Sequence, residues 1–337
     1  MNGPRLEARR RWRWMLGIAG GLVAAAFLCN AGPAATQPSP VLIGAVTEAW
    51  GPTPSLVGLR DGLIKLGHRE NEHFVIGIRF TQGDPDPSRL GTAVRQLAEQ
   101  GAHIIVTGGT NATKAAQRAT LQIPIVFMGG SDPVGSGLVE SFARPGGNIT
   151  GVADLDTDLA PKRLELFREL IPGLKRILFP YHANEIGAAR NVNLHREAAR
   201  RVDLTLVERP LRSQAKAKEL LGSLRKGDVD GIFSPRSVAL NLPAFILDAS
   251  TRSSIPAMFH DSIWVEQGGL ASYSANTYEV GHQAARLVHR IIRGVKPADL
   301  PVERATRFDL VLNLRTARAL NIVVPLSLLL RVDRTID

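Results

Sequence analysis

Residues 103–129 read HIIVTGGTNATKAAQRATLQIPIVFMG. An apolar, β-branched run ends in two glycines and a threonine. An alanine-rich, helix-favouring stretch follows, and a proline then opens a second apolar run. This is the pattern of a strand, a helix and a parallel strand, with both strands apolar throughout because both of their faces are buried.

The same alternation extends in both directions. Upstream, strands are expected at 41–47 and 73–80, with helices at 53–67 and 86–101. Downstream of Gly151 a second set begins. Its strands fall at 176–181, 203–208, 231–235 and 256–260, and its helices at 159–171, 185–201, 214–226 and 242–253. A strand at 269–274, an amphipathic helix at 277–293, a strand at 308–314 and a helix from about 315 complete the chain. The expected fold class is α/β: two Rossmann-like lobes with parallel sheets joined by crossover strands. Lobe 1 is expected to comprise 41–152 plus about 269–300, and lobe 2 to comprise 153–268 plus about 301–337. The length of 337 residues suits two such domains.

The N-terminus reads as an address. Arg5, Arg9, Arg10, Arg11 and Arg13 stand against one acid, Glu7, and the uncharged run MLGIAGGLVAAAFL follows at 15–28. Small residues come next. This is the order of a secretory signal peptide over 1–35, cut near 31–35, and its apolar run is short for a membrane span. The single cysteine, Cys29, follows Leu28, a poor fit to a lipoprotein cleavage site. A lipid anchor is the expectation only if Cys29 is lipidated. One cysteine excludes an internal disulfide framework and a Cys-based zinc site. The net charge of +10 invites a nucleic-acid reading, but four of those charges lie in the segment to be removed. The remaining +6 has no aromatic-interleaved basic stripe, so no nucleic-acid partner is expected.

In open parallel sheets a ligand lies beyond the carboxyl ends of the strands. Reading the residue after each strand gives Trp50, Gly109, Thr110 and Asn111, then Ser131 and Asp132, in the first lobe. The second lobe gives His182, Asn184, Arg236, Asp261 and Tyr273. Glycines at 108–109 permit close backbone approach. Thr110 can cap a helix starting near Asn111, where free N–H groups suit a carboxylate or phosphate. Asp132 can hold an amine or cap the following turn. Asp154, Asp156 and Asp158 alternate in a segment where solvation or capping accounts for them. No G-x-S-x-G, H-E-x-x-H, P-loop or calcium-loop pattern occurs, so no catalytic set, metal or cofactor is expected.

Several blocks are specific beyond the fold pattern: DPVGSGLV (132–139), ARPGGNITG (143–151), NLRTARAL (313–320) and PLSLLLRVD (325–333), with 161–177 and 268–294 in support. On these the chain, from Val41 onward, resembles the tryptophan/tyrosine-binding-protein-like family of ABC transporter solute-binding proteins. The resemblance implies a periplasmic binding protein type I fold that closes on a small solute, such as an amino acid or other small carboxylate. It also implies a periplasmic location, and delivery to an ABC permease driven by its ATPase. Membrane contact would run through the permease. The family often carries Asn-Pro-x-Glu-x-Asn-Ser after the first strand of the second domain. Here 182–188 read HANEIGA, which keeps only Glu185 and places Gly187 and Ala188 where the family has Asn and Ser.

Two further readings stay open on the residues alone. One is an exported α/β enzyme acting on a small anionic substrate, with His182 its candidate base. The other is a ligand-responsive regulator, which would need a DNA-binding helix-turn-helix where the basic leader stands.

Overall fold

The computed structural model describes residues 39–48, 53–81, 87–184, 187–237 and 240–337. The expected signal peptide over 1–35, Cys29 and Trp50 lie outside the described residues. From Val41 the chain builds β1 (Val41–Thr47), α1 (Pro54–Lys65), β2 (Phe74–Phe80), α2 (Pro87–Glu99), β3 (Ile104–Gly108), α3 (Gly109–Ala119), β4 (Ile125–Met128) and β5 (Ile149–Ala153). It then crosses to a second sheet through α4 (Ala160–Leu170), β6 (Arg176–His182), α5 (Ala188–Arg201), β7 (Thr205–Leu211), α6 (Gln214–Ser223), β8 (Gly231–Phe233), α7 (Leu242–Ser253), β9 (Ala257–Phe259), α8 (Ser262–Glu266) and β10 (Ala271–Ala275). Helix α9 (Thr277–Ile292) and β11 (Glu303–Arg304) return to the first sheet. The elements β12 (Phe308–Asn313), α10 (Leu314–Ala319), α11 (Leu326–Leu329) and β13 (Arg334–Ile336) end in the second.

The first sheet has the order β11-β5-β4-β3-β1-β2, and the second β13-β12-β10-β9-β8-β6-β7. Both faces of each sheet are covered. In the first lobe, α1 and α9 pack Leu59, Leu63, Ala284 and Val288 on one face; α2 and α3 pack Val94, Leu97 and Ala116 on the other. In the second lobe, α4 and α5 place Leu164, Phe167 and Ala199 on one face; α6 and α7 place Leu221 and Ile246 on the other. The apolar runs read as two-sided strands are buried accordingly.

Three details differ from the sequence expectation. Residues 271–275 pair with β9 and β12, so they belong to the second sheet, and the crossing falls at 276 rather than near 269. The return crossing follows β11, whose Glu303 and Arg304 pair with Val152 and Ala153, so it falls at 305–307 rather than near 300. Strand β12 is antiparallel to β10, with Phe308 opposite Ala275. The physical reason is directional. The chain re-enters the second lobe from the cleft, so β12 starts where the other strands finish.

Helices α1 and α9 lie unusually close. A Cβ placed on Gly281 would stand 1.8 Å from the Ser55 carbonyl oxygen, and one on Gly58 would stand 2.0 Å from that of Tyr278. Both contacts are with backbone, which cannot rotate away. Gly281→Ala is therefore expected to destabilise the fold by about 1–3 kcal/mol through overpacking, measured by urea denaturation. A surface control such as Gly173→Ala, with open space around it, should change little.

Candidate functional site

The carboxyl ends of β1, β3, β4 and β5 face those of β8, β9 and β10. Between them lies a cavity of about 90 Å³ lined by both lobes. Lobe 1 contributes Ser55 from the first turn of α1, Gly109 from the start of α3, Met128 at the end of β4 and Gly129 after it, and Thr277 and Val280 from α9. Three helix N-termini thus point their partial positive charge at one space. Gly109 has φ +83°, a left-handed value that favours glycine, and this lets the β3–α3 corner turn tightly beside the cavity. Thr113 Oγ1 donates to the Gly109 carbonyl at 2.6 Å and lies 2.8 Å from Thr107 Oγ1, fixing that corner.

The opposite wall is charged. It holds Asp154 and Asp156 from the β5–α4 crossing, Arg163 from α4, Arg236 after β8, and His260 and Asp261 after β9. Arg163 is 2% exposed. Its Nη2 donates to Asp156 Oδ1 at 2.6 Å and to the His260 carbonyl at 3.4 Å, its Nη1 to the Asp156 carbonyl at 3.2 Å, and its Nε to the Tyr273 carbonyl at 2.6 Å. One guanidinium therefore ties the lobe crossing to two strand ends. Burial opposes ionisation of Asp156, but Arg163, Arg236 and the hydrogen bond from Arg163 overcome it and hold the carboxyl well below its ordinary range.

Arg236 Nη1 donates to Asp154 Oδ2 at 2.5 Å, joining the loop after β8 to the crossing segment. Burial works against the Arg236 charge. Asp154, Asp156 and Asp261 more than offset it and raise its affinity for the proton. Asp261 is different. Burial raises its pKa, and the Ile263 N–H (3.0 Å) and Arg236 only partly oppose this. Asp154 and Asp156 are each bonded to an arginine, whereas Asp261 has no direct ion-pair partner among the described residues.

Two buried histidines make the lobe acid-sensitive. Burial pushes His260 down to about 3 and His195 down to about 4. His195 stacks on Phe179, with ring centroids 4.6 Å apart, and its Nδ1 lies 2.8 Å from the Asn191 carbonyl. Both folded values lie below the unfolded value of about 6.5. Below that pH the unfolded chain therefore binds protons that the folded chain refuses, and stability falls with acidification. Two such groups are expected to cost about 2 kcal/mol between pH 6 and pH 5. Urea midpoints measured across that range should show the fall, and His195→Phe should halve it.

Residues 34–336 match the family described as ABC transporter substrate binding protein. The chain belongs to that family. The tyrosine-binding protein of Clostridioides difficile (strain R20291) is 26% identical over 275 residues, covering 80% of this chain and 78% of that protein. Among solved structures, a conserved domain protein from Vibrio cholerae is 27% identical with a TM-score of 0.77, covering 88% of this chain and all of that one. An ABC domain from Streptococcus pneumonia in complex with L-Trp is 26% identical, with the same TM-score of 0.77 and the same coverage. The chain is the substrate-binding component of an ABC transporter, built on the periplasmic-binding-protein fold.

In this substrate-binding protein the sequence-nominated residues separate into groups. Gly109, Arg236 and Asp261 line the cavity. Tyr273 enters through its backbone: the carbonyl binds Arg163, the next residue Ser274 lines the cavity, and the Tyr273 ring packs near Phe308. Thr110 does not cap α3. Gly108 holds the cap position without a side-chain bond, and the helix starts at Gly109, two residues earlier than Asn111. Asn111 donates to Glu48 at 3.4 Å.

Ser131, Asp132, His182 and Asn184 lie outside the cavity lining. Asp132 accepts from the Gly135 N–H at 2.8 Å and pairs with Arg190 of α5 at 3.1 Å, an exposed bridge between the lobes. Asp154, Asp156 and Arg163, which the sequence reading had not nominated, form the charged wall. Spacing gave one signal: two acids immediately after a lobe crossing. Their partners lie as far as 82 residues away.

Proposed function

We propose that this protein captures an α-amino acid between its lobes outside the cytoplasmic membrane and delivers it to the permease of an ABC importer. The observation that carries the reading is the polarity of the cavity. On one wall the partly buried carboxylate of Asp261 has no ion-pair partner among the described residues, and three helix N-termini converge on the other. An α-ammonium suits the first and an α-carboxylate the second. The hydroxyl-bearing residues Ser55, Ser274 and Thr277, the first two of them buried, lie within the same lining and can complete the head-group hydrogen bonds.

The tyrosine named for one relative and the L-Trp bound by another make aromatic amino acids the first solutes to try. The cavity, about 90 Å³, is smaller than the roughly 300–1,000 Å³ usual for ligand sites. An aromatic side chain therefore needs the lobes to part and close again. The chain crosses between the sheets beside Asp154, Asn276 and Thr306, which is where such a hinge would bend. Only a solute that touches both lobes favours the closed form.

A thermal-shift screen of the purified protein against the natural amino acids tests the proposal. One or a few are expected to raise Tm by several degrees, as ligation of the folded state alone requires. No shift with any of them, alongside a shift with sugars or inorganic anions, would count against it.

A further inference from the structure

At the outer end of the first lobe, far from the cleft, three imidazoles gather. His68 follows the C-terminus of α1, His73 precedes β2, and His289 lies in the last turn of α9. His68 Nε2 and His289 Nδ1 stand 2.8 Å apart across 221 residues of sequence. The ring centroids are 5.1 Å apart for His68 and His289, and 6.1 Å for His68 and His73.

We propose that these residues form a binding site for a divalent transition metal of the zinc and nickel class. His68 and His289 are the core ligands and His73 completes the set.

Three physical features support the assignment. First, two imidazole nitrogens on one tetrahedral zinc, each at about 2.0–2.1 Å, are held about 3.3–3.4 Å apart. The present pair needs to open by about half an ångström, with each ring turning so that its lone pair leaves the N···N line and points at the ion. Second, the pair now shares one proton along the N···N line. Moving that proton to the outer nitrogen of the same ring frees both facing lone pairs, so binding requires a tautomer change and no net deprotonation. Third, α1 and α9 both begin at the cleft and end here, so two helix C-termini direct partial negative charge at the same point.

Turn hydrogen bonds order the chain around the pair. Gly67 closes α1, and the turn from Arg69 to His73 is held by the His73 N–H to the Arg69 carbonyl at 2.8 Å. The Arg69 N–H donates to His73 Nδ1 at 3.1 Å, which leaves His73 Nε2 for another partner. Arg69 is itself paired with Glu72 at 2.7 Å. Lys65 and Arg290, in the two last helical turns, oppose a bare positive charge. Those cations repel every divalent ion alike, so selectivity comes from the donors: imidazole nitrogens favour Zn2+ and Ni2+ over Ca2+ and Mg2+, which prefer oxygen. Among the described residues no three metal-ligating side chains already surround one point, so His73 must swing inward as the ion binds.

The test is calorimetric titration of the untagged protein with Zn2+ and, separately, Ni2+. One ion per chain is expected, with a Tm rise of about 3–6 °C at a hundredfold excess over Kd, and none with Mg2+. His68→Gln and His289→Gln should each abolish the heat, and His73→Gln should weaken binding about tenfold. His282→Gln, on the same helix nearer the cleft, should leave it unchanged. Absorption bands of the Co2+-loaded wild-type protein report nitrogen ligation without any substitution. Absence of saturable binding, or binding that survives His289→Gln in a protein of unchanged apo Tm, overturns the proposal.

Discussion

Replacing Arg163 by methionine is expected to destabilise the protein by about 3–5 kcal/mol, the cost of leaving a buried charge without its partner. The methionine retains much of the aliphatic bulk and removes the guanidinium. The largely buried Asp156 carboxylate then loses the one side-chain donor it has among the described residues, and the carbonyls of Tyr273, His260 and Asp156 lose hydrogen bonds together. Urea denaturation measures the loss. The Arg163→Met, Asp156→Asn double variant should recover part of it, because the uncompensated charge is gone. The acid limb of the stability curve gives an independent check. Asp156 has a folded pKa held below its unfolded value, so its stabilisation is full above the ordinary carboxylate range and is lost as pH falls below it. In the double variant that share of the acid sensitivity should vanish.

The second large effect concerns solute affinity. Asp261→Asn is expected to weaken amino-acid binding about a hundredfold or more, in line with about 2–5 kcal/mol for truncating one side of a buried charge pair. The substitution isolates the charge. Asp261 also accepts the Ile263 N–H at the start of α8, and asparagine can accept the same bond. Fold and Tm should therefore hold while affinity falls. Unchanged affinity would mean that the Asp261 carboxylate serves the β9–α8 corner alone.

The alternation of strand and helix was legible because it depends on local runs. VLIGAVT, IIVTG and IVFM are apolar apart from Thr47 and Thr107, and the structure buries most of their residues on both faces. Strands β11 and β13 were not legible. They have two and three residues, and their pairing depends on where the chain returns after a crossing. The antiparallel β12 follows from that return path, which no local pattern records.

The site divides along the same line. Gly109, Arg236 and Asp261 follow strand ends and were found by position alone. Arg163 sits inside an amphipathic helix, where a charged residue ordinarily faces solvent; only tertiary contacts with residues 97 and 110 positions away bring it inside. Asp154 and Asp156 read as solvated loop acids for the same reason. Their arginines come from another part of the chain.

The central claim is that the cleft recognises both charges of an amino acid at once. Isothermal titration of ligand-stripped protein tests it most directly, using the amino acid that gives the largest thermal shift, its decarboxylated amine and its deaminated acid. Saturable binding of the amino acid, with both analogues weaker by about a hundredfold or more, is the predicted result. Equal affinity for the deaminated acid would contradict it, since Asp261 would then have no ammonium to hold.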